Sequence, residues 1–351
     1  MVTGIICEFN PFHGGHKYLI DKIKENDSSV ICCMSGNFVQ RGEFAVFDKF
    51  TRTEMALKGG ADLVIELPSA CAILSAEGFA KSAVNLLETT GVVDEIAFGV
   101  ENDNISKLKK IAEMLNDESI KSAITNEMKK GIPYHTARKN ILNTDLLDSP
   151  NNILACEYLR FANVPCRAVK RIGKGHDTDD ELFSASAIRK TLDKNKISSI
   201  ENCEIAVLAK LRQMSKDDFK KIADVNEGLE NRIYNAVKSA GSLEELYNLI
   251  KTKRYTMARI RRIILRAYLG ICDNSAMAPY IRILGFNGTG RDLLSKMKKT
   301  ADLPIITKYS QCSDDIREYF EKECLCTDLY NLGYKNPLPC GTEQRARIIT
   351  L

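Results

Sequence analysis

The sequence has 351 residues, 44% of them apolar and 27% charged, with a net charge of +4. That length exceeds the roughly 250–300 residues one core serves, which implies two domains, and the composition excludes dominant disorder. No apolar run nears the ~20 residues of a membrane span, the opening VTGIIC lacks the parts of a signal peptide, and the mild charge leaves any nucleic-acid surface local. Twelve cysteines sit mostly in apolar runs, among them Cys7, Cys32, Cys33, Cys71 and Cys156. Cys324 and Cys326 form only C-x-C, with no histidines nearby to complete a zinc set. The pattern predicts reduced thiols and a cytoplasmic protein.

Two periodicities alternate along the first half. VTGIIC precedes the helix-like GHKYLIDKIKEN, SSVICCMSG precedes DKFTRTEMALKGG, and ADLVIELP precedes SAEGFAKSAVNLLETTG. VDEIAFG leads into ISKLKKIAEML; after a helix-rich insertion, PCRAVKRIG reads as another strand and SASAIRKTLDK opens a helix. Strands alternating with helices predict βαβ units and a parallel sheet, and near-continuous apolar strands predict helices on both faces. From about Lys196 the pattern turns helical, through SSIENCEIAVLAKLRQM, ENRIYNAVKSA, SLEELYNLIKT and MARIRRIILRAYLGI, with LPIITK as an added strand signal. Ser242 and Glu245 have the spacing of a capping box. The expected organisation is an α/β, Rossmann-like domain over residues 1–195, then a mostly α-helical domain over 196–351.

Two of the four histidines fall in NPFHGGH, between the first strand and the first helix. Ligands of open α/β sheets bind at that edge. Gly14 and Gly15 let backbone approach a ligand, and the helix start offers N–H groups and a partial positive charge. His13 and His16, at i and i+3, share one side and can donate to phosphate oxygens as charge develops during displacement. The alternatives are a metal pair, for which no third ligand is evident, and a structural role. A second motif, SASAIRK from Ser184 to Lys190, follows the last candidate strand. Ser184 and Ser186 supply hydroxyl donors at a helix start, and Arg189 adds charge; alone, the motif reads rather as an ordinary N-cap with a surface Arg.

HGGH resembles the H-x-G-H signature of the nucleotidylyltransferase superfamily, and SASAIR resembles its distal serine-rich signature, degenerate at Ala185 and Ala187. EFNPFHGGH, MSGNFVQRGE, DKFTRTEMALKGGADLVIELP, FGVE, SPNNILACEYLR, KRIGKGH, KRYTMARIRRIILRAYLGI, YIRILGFNGTGR and TDLYNLGY together resemble the tRNA(Met) cytidine acetate ligase family over essentially the whole chain. The resemblance implies that acetate is activated with ATP to acetyl-adenylate and pyrophosphate. The acetyl group then passes to N4 of the wobble cytidine of elongator tRNA(Met), leaving AMP. Magnesium is expected with ATP. The rivals are another H-x-G-H adenylate-forming or adenylyl-transferring enzyme with a small-molecule substrate, and a non-catalytic RNA-binding protein on the same fold.

The resemblance assigns His13 and His16 as catalytic. It carries the ATP-binding stretch onto Ile6, Cys7, Glu8, Phe9, Asn10, Pro11, Phe12, His13, Gly14, Gly15, His16, Lys17, Tyr18 and Leu19. Later nucleotide contacts fall on Gly99, Arg171 and one of the pair Asn151 and Asn152, whose other reading is a helix cap after Pro150. Gln40 and Arg41 are placed to meet acetate or phosphates, and Lys49 either neutralises pyrophosphate or makes an exposed ion pair. His135 and His176 read as loop histidines, and DTDDE after His176 as a solvated run. RNA is expected on the helical half, where Lys251, Lys253 and Arg254 precede a helix with Arg259, Arg262 and Arg266 on one face and Ile260, Ile263, Ile264 and Ala267 on the other. Tyr255 is a candidate stacking residue, and the GFNGTGR glycines a candidate phosphate cradle. Oligomeric state is left open.

Overall fold

The computed structural model describes residues 1–101, 105–171, 185–226, 228–272 and 277–351. Among them ten strands form: β1 (Val2–Cys7), β2 (Ser29–Ser35), β3 (Phe38–Val39), β4 (Glu43–Phe44), β5 (Leu63–Leu67), β6 (Glu95–Val100), β7 (Cys166–Lys170), β8 (Ile281–Phe286), β9 (Ile305–Ile306) and β10 (Ile349–Thr350). The main sheet runs β10-β8-β5-β2-β1-β6-β7, with β9 beside β8; β3 and β4 pair as a separate antiparallel ribbon. β1, β2, β5, β6 and β7 are mutually parallel, as expected, and Ile5 sits between Cys32 and Ala97 in register.

Side-chain alternation sorts the strands onto two cores. Ile31, Cys33, Leu63, Ile65, Ile96 and Phe98 face one side, under Phe79, Leu86 and Leu87 of helix Ala76–Glu88 and Ala155 and Tyr158 of helix Pro150–Phe161. Val30, Cys32, Met34, Val64 and Ala97 face the other, under Ile20 and Ile23 of helix Gly14–Lys24 and Ala56 and Leu57 of helix Lys49–Lys58.

The expected helical unit over 196–351 takes a different form. Helices between Glu204 and Leu269 close around their own core of Val207, Leu211, Phe219, Ile233, Leu246, Ile250 and Ile263, joined by Phe38 and Phe44 of the ribbon. The chain then returns to the first sheet. β8 pairs antiparallel with β5, and β9 and β10 flank β8. A six-residue apolar run such as IRILGF has the same periodic signature in a buried strand and a buried helix, and only β5's open edge selects the strand.

A buried ionic cluster joins this returning segment to the front of the chain. Lys49 is fully buried, 2.6 Å from Glu66 and 2.7 Å from Glu343. Arg282 lies 3.5 Å from Glu343 and donates to the Thr307 carbonyl at 2.6 Å. Glu323, on helix Asp314–Asn331, accepts the Ser69 N–H at 2.9 Å. Asn37 accepts from the Lys49 N–H at 2.9 Å and donates to Thr327 at 3.2 Å. Three carboxyls thus face two cations. Burial opposes the Lys49 charge, but Glu343 and Glu66 outweigh it and hold the ammonium above its ordinary value. Burial, with Glu323 and Glu343 adding and Lys49 opposing, pushes Glu66 up to about 8.

Removing one partner of a buried pair strands the other charge, so Lys49→Met is expected to lower the unfolding free energy by about 3–5 kcal/mol in urea titrations. The raised Glu66 carboxyl binds its proton more tightly folded than unfolded, where about 4.3 applies. That contribution is complete below the unfolded value and is lost as pH rises through 8. Stability measured at pH 5.5, 7 and 8.5 should therefore decline, and Glu66→Gln should flatten the slope.

Candidate active site

β1 delivers its chain to the carboxyl edge of the sheet, and residues 8–13 turn there into helix Gly14–Lys24. Phe9 takes φ of 45° to make the turn, and its buried ring packs edge-on to His16 at 4.8 Å. His13 is the N-cap. Its Nδ1 accepts the Gly15 N–H at 3.1 Å, while Nδ1 of His16 accepts the His13 N–H at 3.3 Å. Two histidines here perform the reciprocal capping usually done by Ser and Glu. Their rings stack 3.7 Å apart at 26°. Burial first, then the His13 and Arg171 charges, hold His16 well below the usual imidazole value. Both rings use Nδ1 as acceptor, so each neutral ring carries its proton on Nε2, where it is a hydrogen-bond donor.

The other residues of the stretch make contacts of their own. Ile6 and Cys7 finish β1, with the Cys7 thiol 3.7 Å from the Cys33 carbonyl. Asn10 Oδ1 accepts the Val46 N–H at 2.8 Å. Pro11 is buried, and the Phe12 ring lies so close over Gly59 that a Cβ there would sit 2.2 Å away. On the helix, Lys17 is exposed and pairs with Asp21 at 2.8 Å, Tyr18 lies under the Lys22 ammonium, and Leu19 packs toward the core.

Arg52 organises the edge, and sequence reasoning missed it. Fully buried, it donates to the Phe47 carbonyl at 2.9 Å, Glu8 at 2.6 Å, Ser35 at 3.1 Å and also Gly36. The ends of β1 and β2 and the approach to helix Lys49–Lys58 thus converge on one guanidinium. A signal was available: Lys49, Arg52, Thr53, Ala56 and Leu57 all lie on the buried stripe of that helix, so its two cations fall on the core side. Glu8 Oε1 accepts the Gln40 N–H at 2.6 Å, and burial raises its carboxyl despite that bond. The Gln40 side chain is used on the Leu74 carbonyl at 3.2 Å, Arg41 is exposed, and Lys49 is buried in the cluster above.

Across the edge, a Cβ on Gly99 would meet Arg171 Cγ at 3.3 Å, so the glycine makes room for that side chain. Arg171 Nε lies 3.9 Å from Glu101, a residue the sequence did not single out. Asn151 donates to Glu101. Asn152 is buried, accepting the Glu101 N–H at 3.3 Å and donating to the Leu146 carbonyl at 3.0 Å. The second motif also arrives here. Arg189, in helix Ala185–Thr191, donates to the Asn10 carbonyl at 2.7 Å. Ser186 is exposed on that helix; Ser184, His176 and DTDDE lie outside the described residues.

The expected basic face of helix Met257–Leu269 is corrected by the structure. Arg262 is 8% and Arg266 1% exposed. Arg262 pairs with Asp224 at 3.1 Å, and Arg266 donates to the Ala70 carbonyl at 2.9 Å. Arg259 donates to the Asp224 carbonyl at 2.6 Å and to Asn226 at 2.7 Å. The helix is sandwiched between the helical core and the sheet domain, so both its faces are internal, and Tyr255 is buried too. Lys251 donates to the Tyr255 carbonyl at 2.7 Å; Lys253 and Arg254 stay exposed. GFNGTGR does open a helix, capped by Asn287 on Gly290, but β8 runs antiparallel and leaves that start beside Asp62, ahead of β5. It is therefore at the edge opposite the histidines. His135 is exposed in helix Tyr134–Leu142. No helix is long and apolar enough to cross a membrane among the described residues.

A doubly capped phosphate-type helix start at the carboxyl end of β1, met by an arginine from a later helix, is the arrangement of a nucleotidyl transferase. The chain belongs to the HIGH Nucleotidyl Transferase family, whose description matches residues 1–345. Its curated relatives include proteins named tRNA(Met) cytidine acetate ligase, from Acetivibrio thermocellus (36% identical, 96% of each chain) and a Thermoanaerobacter species (38%, covering 97% of this chain and 98% of the relative). The crystal structure of Thermotoga maritima TmcAL bound with alpha-thio ATP superposes with a TM-score of 0.89 at 31% identity, covering 100% of this chain and 99% of that one.

The two asparagines are expected to separate by experiment. Asn152→Ala removes two hydrogen bonds of a buried side chain and should cost about 1–3 kcal/mol in urea unfolding. Asn151→Ala, less buried, should cost under about 0.5 kcal/mol.

Proposed function

We propose that the chain joins acetate to RNA at the expense of ATP. An acetate oxygen attacks the α-phosphorus, the bond to the bridging oxygen breaks, and pyrophosphate leaves with that electron pair. The wobble cytidine N4 of elongator tRNA(Met) then attacks the acyl carbon of acetyl-adenylate. AMP departs, N4 gives up a proton, and N4-acetylcytidine remains. The relatives' shared name supports acetate as donor and a tRNA cytidine as acceptor, and a tRNA substrate supports a cytoplasmic reaction.

The observation that carries this reading is the stacked pair His13 and His16 at the helix start. Two Nε2–H donors, with the helix amides behind them, stabilise charge growing on phosphate oxygens without a covalent intermediate. Because both donors are fixed by backbone bonds, little reorganisation accompanies the displacement. Arg189, bonded to the histidine loop, and Arg171, whose charge acts on His16, add positive charge, while Asn151 and Glu101 offer partners for ribose or base. The adenylate is already a reactive anhydride, so the second step asks chiefly for orientation and exclusion of water. Magnesium accompanies ATP. Among the described residues no group of three His, Cys, Asp or Glu side chains is placed to hold it, and no step is assigned to it.

The test is incubation of the protein with ATP, magnesium, labelled acetate and tRNA lacking the modification, followed by nucleoside analysis. Labelled N4-acetylcytidine is expected. His16→Ala should lower the rate about 10²–10³-fold, the scale for losing one donor to a developing anion. Absence of both labelled nucleoside and acetate-dependent ATP–pyrophosphate exchange would overturn the reading.

A further inference from the structure

Arg259, Arg262 and Arg266 are spent on internal partners, so an RNA substrate must be held by other cations. The acceptor base has to reach the histidine loop, which restricts the search to cations beside that loop. We propose that the segment from Lys190 to Lys196, together with Lys335, is the surface that takes backbone phosphates of the RNA. The inference rests on the function proposed above.

The segment is anchored to the loop itself. Arg189 donates to the Asn10 carbonyl at 2.7 Å, within the turn that His13 caps. Further along, the Ser198 N–H donates to the Val46 carbonyl at 3.1 Å, and Val46 N–H in turn donates to Asn10 Oδ1 at 2.8 Å. The Ser199 N–H donates to the Gly333 carbonyl at 2.8 Å, and Lys335 Nζ to Asn195 at 2.8 Å. Lys190, Lys194, Lys196 and Lys335 therefore lie along one ridge that starts at the active-site loop.

All four lysines are exposed, and among the described residues none of them makes an ion pair. The one acid of the segment, Asp193, is turned onto Asn195, accepting its N–H at 3.0 Å and its side-chain amide at 2.9 Å. Unpaired exposed lysines keep their field for a ligand and release counterions from a polyanion that docks on them. The lysines of one other surface are badly placed. Lys296, Lys298 and Lys299 belong to helix Gly288–Thr300, whose end bonds Thr90 ahead of β6, at the edge away from the histidines. Exposed lysine ammonium groups contact phosphates and not base edges, so the ridge positions the RNA without reading its sequence.

The experiment compares the whole chain with the triple variant Lys194→Glu, Lys196→Glu, Lys335→Glu, and with Lys253→Glu, Arg254→Glu as the rival surface. Acetate-dependent ATP–pyrophosphate exchange without RNA should stay within twofold for both, which also shows that both fold. With tRNA, the triple variant should raise KM at least about tenfold and shrink the salt dependence of binding by two to three units of log-log slope. The rival variant should change KM less than twofold. An unchanged KM in the triple variant, or a larger loss in the rival, overturns the proposal. Direct tRNA binding by filter retention is measured in parallel. If the wild type showed no exchange and no acetylation, the proposed function would fail, while retention lost only in the triple variant would still support the ridge and equal retention would still sink it.

Discussion

The guanidinium of Arg52 is the point on which the edge carrying the candidate site depends. Parallel strands end with carbonyls pointing out of the sheet, and at this edge those of Glu8, Ser35, Gly36 and Phe47 crowd together. Left alone, buried carbonyls would repel one another and lack donors. A single planar cation with a fan of N–H groups satisfies all four, and no other side chain has both the charge and the geometry. The turn carrying Phe9, Asn10 and His13 therefore leaves β1 in one direction only. The histidine pair inherits its placement from this clamp: the Nδ1 atoms hold the helix start, and the outer nitrogens are committed to donation.

The Lys49 cluster does for the whole fold what Arg52 does for the edge. The same helix carries both residues, one turn apart, so the clamp and the cluster form one rigid piece. Through Glu343, Arg282 and Glu323 the last third of the chain closes over the second strand's loop, against Gly36, where a Cβ would come 2.5 Å from Glu66. A charge cluster of this kind contributes less stability than apolar packing would, but it admits few alternative arrangements, which suits a junction between distant segments.

How legible the site was in the sequence differs residue by residue. NPFHGGH announced itself, because glycines and histidines between a strand and a helix are rare and local in their geometry. The partnership of Arg189 with Asn10 was anticipated only as two motifs sharing one sheet edge. Arg259, Arg262 and Arg266 misled, since an amphipathic pattern says which face is apolar but not whether the polar face meets water or a neighbouring domain. Lys49 misled although it shares the apolar stripe of its helix with Ala56 and Leu57. Arg52 passed unnoticed although its place on the buried stripe of its helix was a signal, and Glu101 because its role consists of contacts remote in sequence.

What the sequence by itself determined was the alternation of strands and helices, the parallel order of the first half and the histidine-bearing helix start at the end of β1. These are set by short-range periodicity, turn residues and caps, all of which act within a few positions. Tertiary structure alone decided that β8 runs antiparallel beside β5, that the GFNGTGR helix starts at the far edge, and that Arg262 and Arg266 are buried. Those outcomes depend on the open edge of one strand, the direction of its partner and the desolvation of charges by distant segments, none of which leaves a local pattern in the chain.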